Sequence, residues 1–181
     1  MKNVKVVPHD PRWRAAFEVE ARHVAAALGE NVVAVHHVGS TSIPGIHAKP
    51  IIDLLVELND VGQADARSPA MESLGYQVMG EYGLPGRRYY RKDDPDGIRT
   101  HHVHAFQAGS EQVVRHLAFR DYLRAHPADA QAYGELKQKL AREHPQDMNG
   151  YMDGKDGFIK EMDRRAAAWR ASFSDEHADG V

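Results

Sequence analysis

The sequence predicts an α+β (mixed α/β) fold: a mixed sheet flanked by helices, followed by a helical C-terminal third. Three observations carry this. An amphipathic helix opens the chain, short β-branched and apolar runs separated by turn residues fill its middle, and helical periodicity returns after residue 110. At 181 residues and 20.2 kDa the chain is long enough for one substantial core, so a single domain is expected over residues 1–171, with a flexible tail over 172–181. Asp10-Pro11 reads as an N-cap followed by Pro at the first helical position, and Trp13, Phe17, Val24 and Leu28 then share a face until Gly29. Val32 to Val38 is a short β-branched strand running into the Gly/Ser/Thr/Pro-rich segment 39–50. Ile51 to Val56 is apolar at both parities, the pattern of a central strand covered on both sides, with Asp53 its one interruption. Residues 61–74 read as helical, broken or restarted at Ser68-Pro69 and closed by Gly75. Strands follow at 76–79, 88–92 and 98–106, the last two joined through the turn 93–97. Ser110 caps a helix ending near His126-Pro127; a second carries Tyr133, Leu136 and Leu140, and a third runs from about Met148 to Trp169.

Composition excludes several classes. The chain has no Cys, hence no disulfide and no thiol nucleophile, and any metal must use His, Asp or Glu. No run approaches the roughly 20 apolar residues of a membrane helix, and the start lacks the apolar run of a secretory signal, so no membrane partner and a cytoplasmic location are expected. A net charge of −3 gives no global field for nucleic acid. Twelve His are the compositional oddity.

Three features carry chemistry. Gly39-Ser40-Thr41-Ser42 directly follows a strand and can aim backbone N–H groups and three hydroxyls at phosphate oxygens, with Lys49 adding a charge at the loop's end. The same residues could form an ordinary strand connection, with Pro44-Gly45 as a type II turn. Asp53 inside an apolar run bears a heavy desolvation cost unless it meets a metal, a fixed cation or a set of donors such as the preceding loop's amides. His102 and His104 have H-x-H spacing on a strand, which puts two imidazoles on one face, roughly 6 to 7 Å apart at their Cα atoms, and His101 on the other. They can converge on one ion, with Asp53 or His37 completing an open site, or serve as hydrogen-bonding or phosphate-contacting His. Arg87 or Arg88 on the hairpin can reach a phosphate or remain a solvated edge charge, and Tyr151 and Lys155 lie one helical turn apart.

The run HHVGSTSIPGIHAKPIIDLLVEL resembles the signature of the GrpB family, a branch of the nucleotidyltransferase superfamily related in fold to DNA polymerase β. The resemblance extends through GRRYYRKDDPDGIRTHHVHAF, HLAFRDYLRAHP, AYGELKQKLA and YMDGKDGFIKEMDRRAAAW. It implies a nucleotidyltransferase-like sheet, a nucleotide phosphate near Gly39-Ser40 and a catalytic carboxylate at Asp53. The superfamily's second carboxylate position is Leu55 in this chain, and the strand expected to supply the third carries His102 and His104. One carboxylate with imidazoles suits Zn²⁺ or Mn²⁺ better than Mg²⁺, which prefers oxygen ligands.

The resulting expectation is a nucleotide-binding, metal-dependent transferase moving a nucleotidyl or phosphoryl group to a small-molecule acceptor. Asp53 and His37 would be catalytic. Gly39, Ser40, Thr41, Ser42, Lys49, Arg88 and Lys155 would bind phosphate, and Asp53, His102 and His104 would hold one divalent ion, Zn²⁺, Mn²⁺ or Mg²⁺. Two alternatives stand beside it: a hydrolase or lyase using a His-bound metal, and a non-catalytic module for nucleotides or anionic metabolites.

Overall fold

The computed structural model describes residues 3–175. The chain groups into two compact units interleaved along the sequence. A sheet unit contains Asp10–Ser42 and Pro50–Val114; a helical unit contains Ile43–Lys49 and, within the described residues, 3–9 and 115–175.

The sheet unit opens with α1 (Arg12–Leu28), whose first backbone N–H is taken by the Asp10 carboxylate at 2.9 Å and whose end is turned by Gly29. Five strands follow: β1 (Val32–Val38), β2 (Ile52–Leu58), β3 (Tyr76–Val78), β4 (Arg88–Asp93) and β5 (Arg99–Gln107), in the spatial order β1-β2-β5-β4-β3. The central β2–β5 pair is parallel and the other pairs antiparallel, which makes the sheet mixed as expected. Between β2 and β3 the chain forms a tight helical turn over Val61–Arg67, and α2 (Ser68–Ser73) starts at the Ser-Pro step read from the sequence.

Registration divides the strand residues between two faces. Directly paired residues share a face, so Val38, Asp53, His102, Leu55, His104 and Tyr89 point one way, while His37, Leu54, Val103, Tyr90 and Lys92 point the other. Leu54, Leu55 and Val56 are fully buried, as a central strand apolar on both parities requires. On the second face, Glu20 of α1 is buried and accepts hydrogen bonds from the Tyr76 hydroxyl at 2.7 Å and the Lys92 ammonium at 2.5 Å. Burial alone would raise the Glu20 carboxyl, but the donors Lys92 and Tyr76 outweigh it and hold the group below the usual carboxylate range.

The helical unit is built from α3 (Glu111–Ala125), most of which lies in it, α4 (Pro127–Glu143) and α5 (Met148–Asp175). Ile43 and Ile46 pack with Leu123, Tyr133, Met162 and Ala166 in its main core. A Cβ at Gly154 would meet the Leu140 side chain at 2.4 Å, so glycine there lets α5 approach α4 closely. Ser110 precedes α3 as expected, but its hydroxyl is buried without a hydrogen-bond partner; the cap is the backbone bond from Val114 N–H to Ser110 C=O. The segment from Ser172, expected to fray, continues α5 as far as Asp175; the rest of that expected tail lies outside the described residues. Among the described residues no helix is long and apolar enough to cross a membrane.

Candidate metal and phosphate site

Asp53 on β2 and His102 on the adjacent parallel β5 are registered neighbours, and His104 stands two residues along on the same face. His102 Nδ1 lies 3.1 Å and His104 Nε2 3.5 Å from the same oxygen, Asp53 Oδ1. One donor atom from each of the three residues falls within 4.8 Å of the others. Adjacent ligands of an ion with bonds of about 2.1 Å lie about 3.0 to 3.4 Å apart, so the two distances from Asp53, 3.1 and 3.5 Å, lie in or close to the range of ligand pairs as well as that of hydrogen bonds. Arg99 Nη1 approaches His102 Nε2 at 3.3 Å; an arginine only donates, so Nε2 accepts and the ring proton sits on Nδ1, facing the carboxylate. Burial pushes the Asp53 carboxyl up, but the hydrogen bonds of His102 and His104 and their electrostatic attraction prevail and hold it well below the ordinary carboxylate range. The group therefore stays an anion, as a ligand must.

The loop after β1 comes directly against this carboxylate. Gly39 has φ +72°, and a Cβ on it would meet Asp53 Oδ2 at 2.3 Å, so only glycine lets backbone and carboxylate approach this closely. Ser40 is partly exposed, and its hydroxyl makes no hydrogen bond among the described residues. Thr41 and Ser42 differ from expectation: both are buried, with the Thr41 hydroxyl donating to Ile51 C=O at 3.2 Å and the Ser42 hydroxyl donating to Gly39 C=O at 2.5 Å. Those hydroxyls shape the loop rather than face a ligand.

Two further expectations are corrected by strand parity. His37 pairs with Leu54, not Asp53, and so lies on the opposite face, stacked on Phe17 at 4.7 Å with Nε2 donating to Thr41 Oγ1 at 2.9 Å. It positions the loop. His37→Phe, which keeps the ring and loses the hydrogen bond, is expected to cost about 1 to 2 kcal/mol in chemical denaturation without changing divalent-metal affinity measured by calorimetry. Arg88 also points to the second face, where both arms of its guanidinium bind Asp65 at 2.7 and 3.0 Å. Its neighbour Arg87, the other arginine the hairpin offered for a phosphate, lies 5.0 Å over the ring of Tyr89, which in turn stands 5.3 Å from the His104 ring.

Lys49 and Lys155 belong to the helical unit, where their ammonium groups stand 5.7 and 4.5 Å from the centre of the buried Tyr151 ring. Tyr151's hydroxyl is buried with no hydrogen-bond partner among the described residues. Lys137, which the sequence did not single out, is almost wholly buried and lies 4.3 Å over the Tyr133 ring. The structure thus brings Asp53, His102, His104 and Gly39 together in one unit, and Lys49 with Lys155 in the other.

Comparison with known proteins agrees with this architecture. The "UPF0157 protein YqkA" of Bacillus subtilis is 41% identical over 169 residues; the match covers 93% of this chain but 49% of that protein, so the chain spans about half its length. The crystal structure of the conserved protein GrpB from Enterococcus faecalis superposes with a TM-score of 0.85 at 46% identity, covering 90% of this chain and 96% of that one. Terminal uridylyl transferase 4 from Trypanosoma brucei, solved with bound dUTP, shares the fold at a TM-score of 0.51 and 12% identity, over 76% of this chain and 46% of its own. The family model described as GrpB protein matches residues 3–165, and on that evidence the chain belongs to the GrpB family.

Proposed function

We propose that this protein is a nucleotide-binding, metal-dependent transferase that moves a nucleotidyl or phosphoryl group to a small molecule. The observation that carries the reading is the convergence of Asp53, His102 and His104, three donors within 4.8 Å around a carboxylate held below the ordinary carboxylate range. They would hold one divalent ion, and two imidazoles with one carboxylate favour Zn²⁺ or Mn²⁺ over Mg²⁺. Bound there, such an ion would supply charge to neutralise phosphate oxygens. Asp53 keeps its charge and orients both imidazoles, and Gly39 allows close approach to the carboxylate. The Ser40 hydroxyl is available to a phosphate oxygen. The fold shared with a uridylyl transferase supports the nucleotide as substrate class.

One observation favours a second reading. Leu55, fully buried, stands where the superfamily would place a second carboxylate, which fits a nucleotide-binding module without turnover.

Metal analysis of untagged protein, combined with thermal shifts against nucleoside triphosphates, tests the first reading. Ligand at a hundredfold excess over its dissociation constant stabilises by about 2.7 kcal/mol, and this gain is expected to shrink in Ser40→Ala. A metal-free protein with no shift from any triphosphate at millimolar concentration overturns the reading; binding without product on any metal selects the second.

A further inference from the structure

Beside the three metal donors lies a second group of side chains that the reading above does not use. Tyr89 and Arg91 share the face of Asp53, His102 and His104, Arg87 just before β4 reaches the Tyr89 ring, and Tyr82, from the connection between β3 and β4, covers Tyr89 with ring centres 5.3 Å apart. Arg87 lies over Tyr89 at 5.0 Å and Arg91 over Tyr82 at 6.0 Å, so the two guanidiniums bracket the tyrosine pair.

The charges around this pair are distributed unevenly. Arg88 is paired with Asp65 and Arg99 with Asp93. Arg87 instead donates to two backbone carbonyls, Glu81 at 3.2 Å and Tyr82 at 2.9 Å, and Arg91 to the neutral Gln77 amide at 2.8 Å. Neither has a carboxylate partner among the described residues. Arg87 is also partly desolvated, which lowers its guanidinium from the ordinary value; the nearby Tyr89 and Tyr82 act in the opposite sense. A half-buried guanidinium held by neutral carbonyls keeps donors to spare and lacks the anion that would compensate it. The approach is open, since Tyr82 is 57% exposed. The backbone at Tyr82 adopts φ +47°, unusual for an aromatic residue, and the Arg87 bond to its carbonyl helps hold it there.

We propose that Arg87 and Arg91, framed by Tyr82 and Tyr89, form a subsite for the anionic group, carboxylate or phosphate, of the small molecule that accepts the transferred group. Its identification as the acceptor rests on the transferase reading; the anion site itself does not. From Arg87 the side chains run through Tyr89 to His104 and Asp53, with the Tyr89 and His104 rings 5.3 Å apart. An acid held by the arginines would therefore place the rest of a small acceptor beside the metal donors.

The test follows the arginine Nε–H resonances of ¹⁵N-arginine-labelled protein during titration with inorganic phosphate and, separately, acetate. The expected result is that Arg87 and Arg91 move on one saturating curve while Arg88 and Arg99 stay still, and the anion that saturates at lower concentration names the preferred group. Arg91→Gln, which loses no ion pair, is expected to weaken the response at Arg87 about tenfold, while Arg88→Gln leaves it unchanged. Static Arg87 and Arg91 resonances at tens of millimolar of both anions, or equal movement at Arg88, overturn the proposal. Anion binding in a protein that binds no metal would leave the subsite standing and remove the transferase reading, so the two failures are distinct.

Discussion

Asp53→Asn is expected to lower divalent-metal affinity by about 100-fold or more while the sheet still forms, read by isothermal titration with Zn²⁺ or Mn²⁺ alongside circular dichroism. The change preserves volume and removes the charge that faces His102 Nδ1 at 3.1 Å and His104 Nε2 at 3.5 Å. Exchanging charge-assisted hydrogen bonds for neutral ones is also expected to cost about 1 to 3 kcal/mol near neutral pH. The Asp53 carboxyl titrates lower in the folded chain than the roughly 3.9 of an unfolded aspartate. Its contribution is therefore complete above that unfolded value and is lost as pH falls through the folded one, so the gap between wild type and Asp53→Asn should narrow as the solution is acidified below about pH 4. Asp53→Leu extends the test. On an apolar strand a leucine would stabilise if the carboxylate had no partner; here it is expected to destabilise, because it leaves two half-buried imidazoles without their acceptor. A metal affinity unchanged in Asp53→Asn would remove Asp53 from the ligand set.

Gly39→Ala is expected to damage both fold and site, costing about 2 to 4 kcal/mol in denaturant unfolding and most of the metal affinity. Two costs coincide. At φ +72° any Cβ is strained, and this one would meet Asp53 Oδ2 at 2.3 Å and Asp53 Cγ at 2.9 Å. Relief requires either the loop to lift from β2 or the carboxylate to turn from the imidazoles. A variant of native stability and native metal affinity would mean that the close approach of Gly39 to Asp53 has no role. Gly45→Ala separates the two costs, since its φ is +81° but no atom lies within 4 Å of the added carbon; it is expected to lose about 1 to 2 kcal/mol and keep its metal affinity.

The sheet was legible because its strands carry their own signals. Val32 to Val38 is β-branched, the run from Ile51 is apolar on both parities, and the alternation of His102 and His104 sufficed to place them on one face. What strand parity leaves open is which neighbour of a pair faces which way across a second strand. His36 and His37 have equal claims until the β1–β2 register aligns Val38 with Asp53 and so turns His37 toward α1. Arg87 and Arg88 pose the same choice, decided by the β4–β5 register. The hydroxyls of Thr41 and Ser42 were misread for a different reason: a Ser/Thr-rich loop has to satisfy its own carbonyls first, and the acceptors Ile51 C=O and Gly39 C=O are invisible until the loop closes. Glu20 and Lys137 stayed hidden because a buried charge on an otherwise polar helix stretch reads as solvated; only tertiary packing brings Tyr76 and Lys92 to the first, and Tyr133 to within reach of the second.

The parallel pairing of β2 with β5 has a consequence for the order in which the molecule assembles. The β4–β5 hairpin can form from neighbouring chain, and with it come His102 and His104. Asp53 arrives only when a strand 49 positions upstream of His102 closes against β5 across the intervening turn, α2, β3 and β4. Such closures are slow relative to hairpins because loop entropy is lost before the contacts form. A partly folded chain therefore presents two imidazoles without their carboxylate, and an ion that needs all three donors binds tightly only to chains whose central strands have met. Occupancy of the site would then report on the completeness of the sheet as a whole.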